Sequence, residues 1–327
     1  MPTSRTRRVR RQLLVGSAAV VLALLASACS GTHHVAPVAS SAPLVSATAS
    51  TAPASGVASS LPPTVASPSG APDVSALASP SSASPTSASP TSSPSAIDRS
   101  TLGPVILVPG YGGSDSMLET LANRLHSAGR TTILLALPDD ATGDLNVQAG
   151  VLAARVAQVL KAGAPSVDLV GYSAGGIVIG LFVAAHAREV RQIVSIGSPL
   201  HGTQLARLAI TLNLSASVCP VACRQMAPGS SVLASLVAAD PAKTGVPWTS
   251  MWTTDDQVVL PPESARFDGA TNIVLQQVCA DDTSNHLNLP ADPLVAGLTL
   301  RALDSSDGAN PSASDCSSLR ALGTGSS

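Results

Sequence analysis

The chain has 327 residues, 45% of them apolar, 12% charged and only 2% aromatic, with a formal net charge of −2. So little charge excludes a disordered polyelectrolyte or a Glu/Lys-rich coiled coil, and the near balance leaves no basic footprint for nucleic acid. The balance is uneven, because Arg5, Arg7, Arg8, Arg10 and Arg11 precede everything else; without them 13 basic residues face 20 acidic ones, a net charge of −7.

Behind that basic start, residues 13–28 form an uncharged run of small and branched side chains. As a helix this run rises about 24 Å, short of a comfortable bilayer span, so it reads as the apolar region of an export signal. Leu24-Leu25-Ala26-Ser27-Ala28-Cys29-Ser30 resembles the bacterial lipobox. That resemblance implies cleavage after residue 28 and acylation of Cys29, which would anchor the exported protein to a membrane of the bacterial envelope. Ala26 departs from the commoner branched residue at its position, and the alternative is soluble secretion with an incidental Cys29. Arg10-Arg11-Gln12-Leu13-Leu14 is also similar, more weakly, to a twin-arginine signal.

From 30 to 97 the composition is mainly Ala, Ser, Pro, Thr, Val and Gly, with Asp73 the only formal charge and one direct repeat of Ala-Ser-Pro-Thr-Ser at 83–87 and 88–92. Such a segment buries too little surface to offset chain entropy and is expected to be a disordered tether over 29–98, spanning roughly 45 Å as a coil. A single folded domain is expected over 99–327.

Within that domain strand and helix alternate. Residues 105–108 are a short apolar run bounded by prolines, as a buried parallel strand is. Ser114 and Asp115 offer helix starts, followed by Met117, Leu118, Leu121 and Leu125 at helical spacing up to Gly129. Residues 131–137 read as a strand, and Val147, Val151, Leu152, Val156, Val159 and Leu160 mark an amphipathic helix. Strand 166–170, helix 174–186 and strand 190–196 follow. A cap insertion over about 203–246 breaks the rhythm with Leu205, Leu208, Leu212, Leu214 and Val218, side chains that would either line a pocket or lid or simply pack their helix. Strands at 249–253 and 272–278 resume the pattern. The alternation predicts an α/β fold, a mostly parallel sheet with helices on both faces.

Chemistry concentrates at Gly171-Tyr172-Ser173-Ala174-Gly175, a G-x-S-x-G sequence between a strand and an apolar helix. There the glycines permit the sharp turn that exposes a serine hydroxyl at the carboxyl end of a sheet. The hydroxyl needs a base. In α/β-hydrolases the order is serine, acid, histidine, and only His286 follows the acid candidates Asp255, Asp256, Glu263, Asp268, Asp281 and Asp282. Asp256-Gln257-Val258-Val259-Leu260-Pro261 resembles a lipase pattern that selects Asp256, with Asp255 its adjacent competitor. An oxyanion hole needs two backbone N–H groups. One belongs to Ala174, and by analogy with related hydrolases the other belongs to Tyr111, in Pro109-Gly110-Tyr111-Gly112-Gly113. That loop lacks the lysine of a phosphate-binding loop, and no G-x-G-x-x-G is present.

With these residues in hand, 103–294 resembles the secreted bacterial class 2 lipases of the α/β-hydrolase fold. Gly197-Ser198-Pro199-Leu200-His201-Gly202-Thr203 looks like that family's motif at the end of a strand, and Ala227-Pro228-Gly229-Ser230 matches its cap. The resemblance implies hydrolysis of carboxylic, acylglycerol-type esters through an acyl-enzyme on Ser173, with no cofactor, an ester or lipid substrate and a monomer as the working form. His201 is expected to be structural. Beyond Cys29, Cys219, Cys223, Cys279 and Cys316 make an even set in an exported domain. Three pairings are possible; Cys219–Cys223, closing a small loop, and Cys279–Cys316, tying down the tail, are favoured over a zinc site, and no acidic loop pattern calls for calcium. Two alternative functions keep the fold: acyl transfer to a cell-envelope acceptor, and a non-catalytic surface lipoprotein.

Overall fold

The structure, a computed structural model, describes residues 101–113, 115–239, 244–304 and 310–325. The export signal, Cys29, the tether and Ser114 lie outside them.

Strand β1 (Val105–Val108) has no exposed residue, as a strand with neighbours on both edges and helices on both faces requires. A 3-10 turn (Asp115–Leu118) leads into α1 (Glu119–Ser127), which buries Leu121, Ala122 and Leu125. Met117, expected on the same stripe, is exposed because it falls in the 3-10 turn, off the helical phase. Strand β2 (Thr132–Leu134) is shorter than the expected 131–137. It lies at the sheet edge, and past Pro138 the residues Asp139, Asp140 and Ala141 take positive φ (53°, 48° and 56°), which no strand continues through.

Helix α2 (Leu145–Lys161) starts where the Asp144 carboxylate accepts from the Asn146 N–H (2.7 Å). Its buried face runs through Leu145, Gln148, Ala149, Leu152 and Val156. Val147, expected on that face, is 60% exposed, because Leu145 sets the phase of the stripe. Strand β3 (Val167–Tyr172), helix α3 (Ala174–His186) and strand β4 (Val190–Ile196) follow, all nearly without exposure apart from the last turn of α3. Between β4 and β5 (Trp248–Trp252) the chain makes α4 (Gln204–Thr211), α5 (Val221–Gln225) and α6 (Ser231–Ala239). The buried residues of α4 are Ala206 and Ala209, while Leu208 and Leu212, like Val218 beyond the helix, are exposed, so this helix packs through its alanines.

Strand β6 (Thr271–Val274) stops short of the expected 278, and α7 (Leu275–Val278) is one helical turn. Leu275 and Val278, three residues apart, are both buried, a spacing that a helix puts on one face and a strand on opposite faces. Two further helices follow among the described residues, α8 (Pro293–Asp304) and α9 (Cys316–Thr324).

The six strands pair in the order β2-β1-β3-β4-β5-β6, all parallel. One face is covered by α2, α3 and α6 through Leu152, Val156, Ile177, Phe182 and Leu236. The other is covered by α1 and α8 through Leu121, Leu125, Leu294 and Leu298. From β1 the chain steps outward to β2, then returns to place β3 on the far side of β1. Strand order reverses there, and the crevice beyond the carboxyl ends of β1 and β3 is where sheets of this kind place a site. At the other end of β3 a buried ion cluster closes the sheet: Asp168 accepts from Arg191 (2.5 Å) and from Arg130. Burial pushes the Asp168 carboxyl up, against the pull of Arg191 and Arg130.

Candidate active site

The loop after β1 and the turn after β3 meet at that crevice. Ser173 takes φ 52° and ψ −124°, a conformation that costs a non-glycine residue about 1–3 kcal/mol. It is held there by its N–H to the Ile196 carbonyl (2.9 Å) and by its carbonyl accepting from Gly176 (3.1 Å). The flanking glycines are required by space. A Cβ at Gly171 would stand 2.7 Å from the backbone of Gly175 and Gly176, and one at Gly175 would stand 2.2 Å from the Val108 carbonyl oxygen. Strand and helix therefore cross at backbone contact, and Ser173 is thrust out over the carboxyl end of the sheet while remaining only 7% exposed.

His286 arrives from the opposite side, as the first residue of a 3-10 turn (His286–Ala291) whose N–H groups at Leu287 and Asn288 are capped by the Asn285 side chain (3.1 and 3.3 Å). Its Nε2 lies 3.1 Å from Ser173 Oγ and its Nδ1 lies 2.7 Å from Asp256 Oδ2. The other oxygen of Asp256 accepts from the N–H groups of Val258 (2.9 Å) and Val259 (2.7 Å). The carboxylate is thus oriented at both oxygens and faces the imidazole Nδ1, a geometry that stabilises the tautomer with hydrogen on Nδ1 and the lone pair on Nε2. Among the other acid candidates, Asp255 is exposed, Asp268 is 95% exposed, and Asp281 and Asp282 face Arg320.

Two residues that the sequence reading left without a role hold the imidazole. The Tyr172 hydroxyl donates to the His286 carbonyl (2.9 Å), and its ring lies 5.2 Å from the imidazole, centroid to centroid. Burial, reinforced by the nearby Asp256 charge, pushes the Tyr172 phenol far above its ordinary value, so it remains a donor. Gly197 takes φ 54°, and a Cβ there would lie 2.7 Å from Leu289 Cδ1 and 3.3 Å from His286 Nδ1, crowding the ring. Tyr172 is the first variable residue of G-x-S-x-G and Gly197 follows the end of β4, but only the partner reached across the fold reveals their purpose.

Of the expected N–H donors, Ala174 is the first residue of α3, whose first-turn N–H groups have no acceptor within the helix. Tyr111 stands in the loop lying against the serine: a Cβ at Gly110 would be 2.7 Å from Ser173 Cβ, and the Gly113 N–H closes a turn on the Gly110 carbonyl (3.1 Å). The Tyr111 side chain packs on both the main core and the small cluster of Ala209, Cys219 and Cys223. His201 is exposed, its Nδ1 3.3 Å from the Ser264 carbonyl oxygen.

Both favoured disulfides are formed, Cys219–Cys223 and Cys279–Cys316. Cys279, Asp281 and Cys316 cluster closely enough to surround an ion, but both sulfurs are bonded to each other and offer no thiolate. Two disulfides fit folding in an oxidising compartment outside the cytoplasm. No helix among the described residues is long and apolar enough to cross a membrane.

No family model and no curated protein matches the chain. Among solved structures, lipase B of Aspergillus fumigatus matches with a TM-score of 0.53 at 18% identity, over 70% of this chain and 64% of that one. The mature form of the Bacillus licheniformis lipase BlEst2 matches with a TM-score of 0.52 at 20% identity, over 66% of this chain and 96% of that one. The chain thus spans less than two thirds of the fungal lipase. The likeness, with the parallel sheet and its order, shows that this chain has the α/β-hydrolase fold.

Proposed function

We propose that the protein is an extracytoplasmic serine ester hydrolase of the lipase or carboxylesterase type, with Ser173 as nucleophile, His286 as general base and Asp256 as the acid that orients it. The observation that carries this reading is the unbroken hydrogen-bonded chain from Ser173 Oγ through His286 to Asp256, with the serine in a strained turn at the topological switch of the sheet. Ser173 Oγ attacks the ester carbonyl carbon and its proton passes to His286 Nε2. The oxyanion that forms takes hydrogen bonds from the N–H groups of Ala174 and Tyr111. The intermediate collapses as His286 returns the proton to the leaving alcohol, and water, deprotonated by His286, then releases the acid and restores the serine. Asp256 keeps its charge throughout and stabilises the imidazolium.

The substrate is a carboxylic ester of acylglycerol type, the class that the resemblance of 103–294 to secreted lipases implies. Acylation of Cys29, outside the described residues, would hold the enzyme at the envelope, since a net charge of −7 after the leader offers no attraction to an anionic surface. Hydrolysis of p-nitrophenyl acyl esters tests the assignment. Ser173→Ala is expected to abolish turnover and labelling by a fluorophosphonate; turnover that persists in Ser173→Ala refutes it.

A further inference from the structure

Thr203 stands where the chain leaves the loop after β4 and enters α4, and it is 5% exposed. Its Oγ donates to the Val258 carbonyl (2.7 Å) and accepts from the N–H groups of Leu260 (3.0 Å) and Leu205 (3.4 Å), so the hydroxyl is fully occupied. Its own N–H reaches the Met226 carbonyl (2.9 Å), and the Gln204 N–H reaches that of Leu260 (2.8 Å). The bond to Leu205 is an ordinary helix cap. The bonds to Val258 and Leu260 are not: they grip the segment whose Val258 and Val259 N–H groups hold Asp256 Oδ1.

Resting on the triad reading above, we propose that Thr203 is a positioning residue for Asp256, and that through it the seating of the cap and the geometry of the acid are coupled. The physical reason is the number of groups one oxygen serves. Valine fills the same volume but leaves the half-buried Val258 carbonyl and Leu260 N–H without their shared partner. The segment from 258 to 260 then relaxes, Asp256 Oδ1 loses well-aligned donors, and the carboxylate turns relative to the imidazole. A displacement of α4 pulls on the same oxygen and has the same effect, so a cap that shifts changes the rate of proton transfer.

The test uses the full chain with Thr203→Val, Thr203→Ala and Thr203→Ser, following thermal stability, kcat, KM and the pH dependence of kcat/KM on a p-nitrophenyl ester. In the two variants without the hydroxyl, kcat is expected to fall about 10- to 100-fold. KM should stay within about twofold. The acid limb of the pH profile should move to lower pH, because a misaligned Asp256 stabilises the imidazolium less. Thr203→Ser should restore both the rate and the limb. Variants that melt earlier yet keep the parent kcat and acid limb would reduce Thr203 to a helix cap and overturn the proposal, as would failure of both hydroxyl-free variants to fold. If the parent protein neither turns over esters nor takes a fluorophosphonate at Ser173, the triad reading itself fails; if it does both and Thr203→Val matches it, only the coupling fails.

Discussion

Replacing Asp256 by asparagine tests the site with the least disturbance of shape. In the parent protein Asp256 Oδ1 accepts from Val258 and Val259 at 2.9 and 2.7 Å while Oδ2 faces His286 Nδ1 at 2.7 Å. An asparagine has one oxygen and one amide nitrogen for these two places. Turning its NH2 toward Val258 and Val259 would set donors against two N–H groups, so the oxygen stays there and the NH2 faces the imidazole. Nδ1 must then accept, which moves the imidazole hydrogen to Nε2 and leaves it unable to take the Ser173 proton. The wrong tautomer is expected to lower kcat by about 10⁴, or about 5.5 kcal/mol of barrier. Steady-state hydrolysis of a short p-nitrophenyl ester measures it, with the melting temperature as a check on folding. Asp255→Asn, at the exposed neighbouring carboxylate, is expected to change kcat by less than about twofold. A folded Asp256→Asn enzyme within about tenfold of the parent, or a larger loss at Asp255, would refute the tautomer argument.

Gly175→Ala places a Cβ 2.2 Å from the Val108 carbonyl oxygen, a backbone atom that cannot swing aside, and should lower unfolding free energy by about 3 kcal/mol in urea titration. Asp168→Asn leaves the buried Arg191 without its counter-charge and Arg130 with only the exposed Asp304 carboxylate (3.2 Å), and should destabilise by about 3 kcal/mol, while the folded fraction retains the parent kcat, since the cluster lies at the far end of β3. The Asp281 carboxyl is held below its ordinary 3.8 by a hydrogen bond and charge from Arg320, on the exposed side of the segment leading to His286. A lowered folded-state value contributes stability at neutral pH that is lost as pH falls below that range, so the melting temperature should drop there, and Asp281→Asn should flatten the drop.

Much of the fold was legible because local rules dictated it. Continuous buried runs at 105–108 and 190–196 have the signature of interior parallel strands, and the glycines around Ser173 are demanded by backbone contact. Where only tertiary partners decide, the sequence misled. The strand at 131–137 was cut to Thr132–Leu134 by its edge position, residues 275–278 became helical because Leu275 and Val278 face the same core, and α8 went unread as a helix because it is buried on nearly every side and shows no amphipathic period. Asp292 before Pro293 was the available sign of its start.

The sequence alone determined which chemical groups exist and in what order: one serine at a strand-to-helix turn, one histidine after the acids, and four cysteines beyond Cys29. Those follow from residue identity and short-range sterics, which a string of letters contains. Only the tertiary structure decided that the carboxylate of Asp256, the residue its motif had pointed to, faces the imidazole, that Tyr172 donates to the His286 carbonyl, and that Thr203 bonds Val258 beyond Asp256. Each of the last two is a hydrogen bond spanning more than fifty residues of chain, and the first spans thirty; such bonds are set by how β3, β4 and β5 stack side by side and not by anything adjacent in sequence.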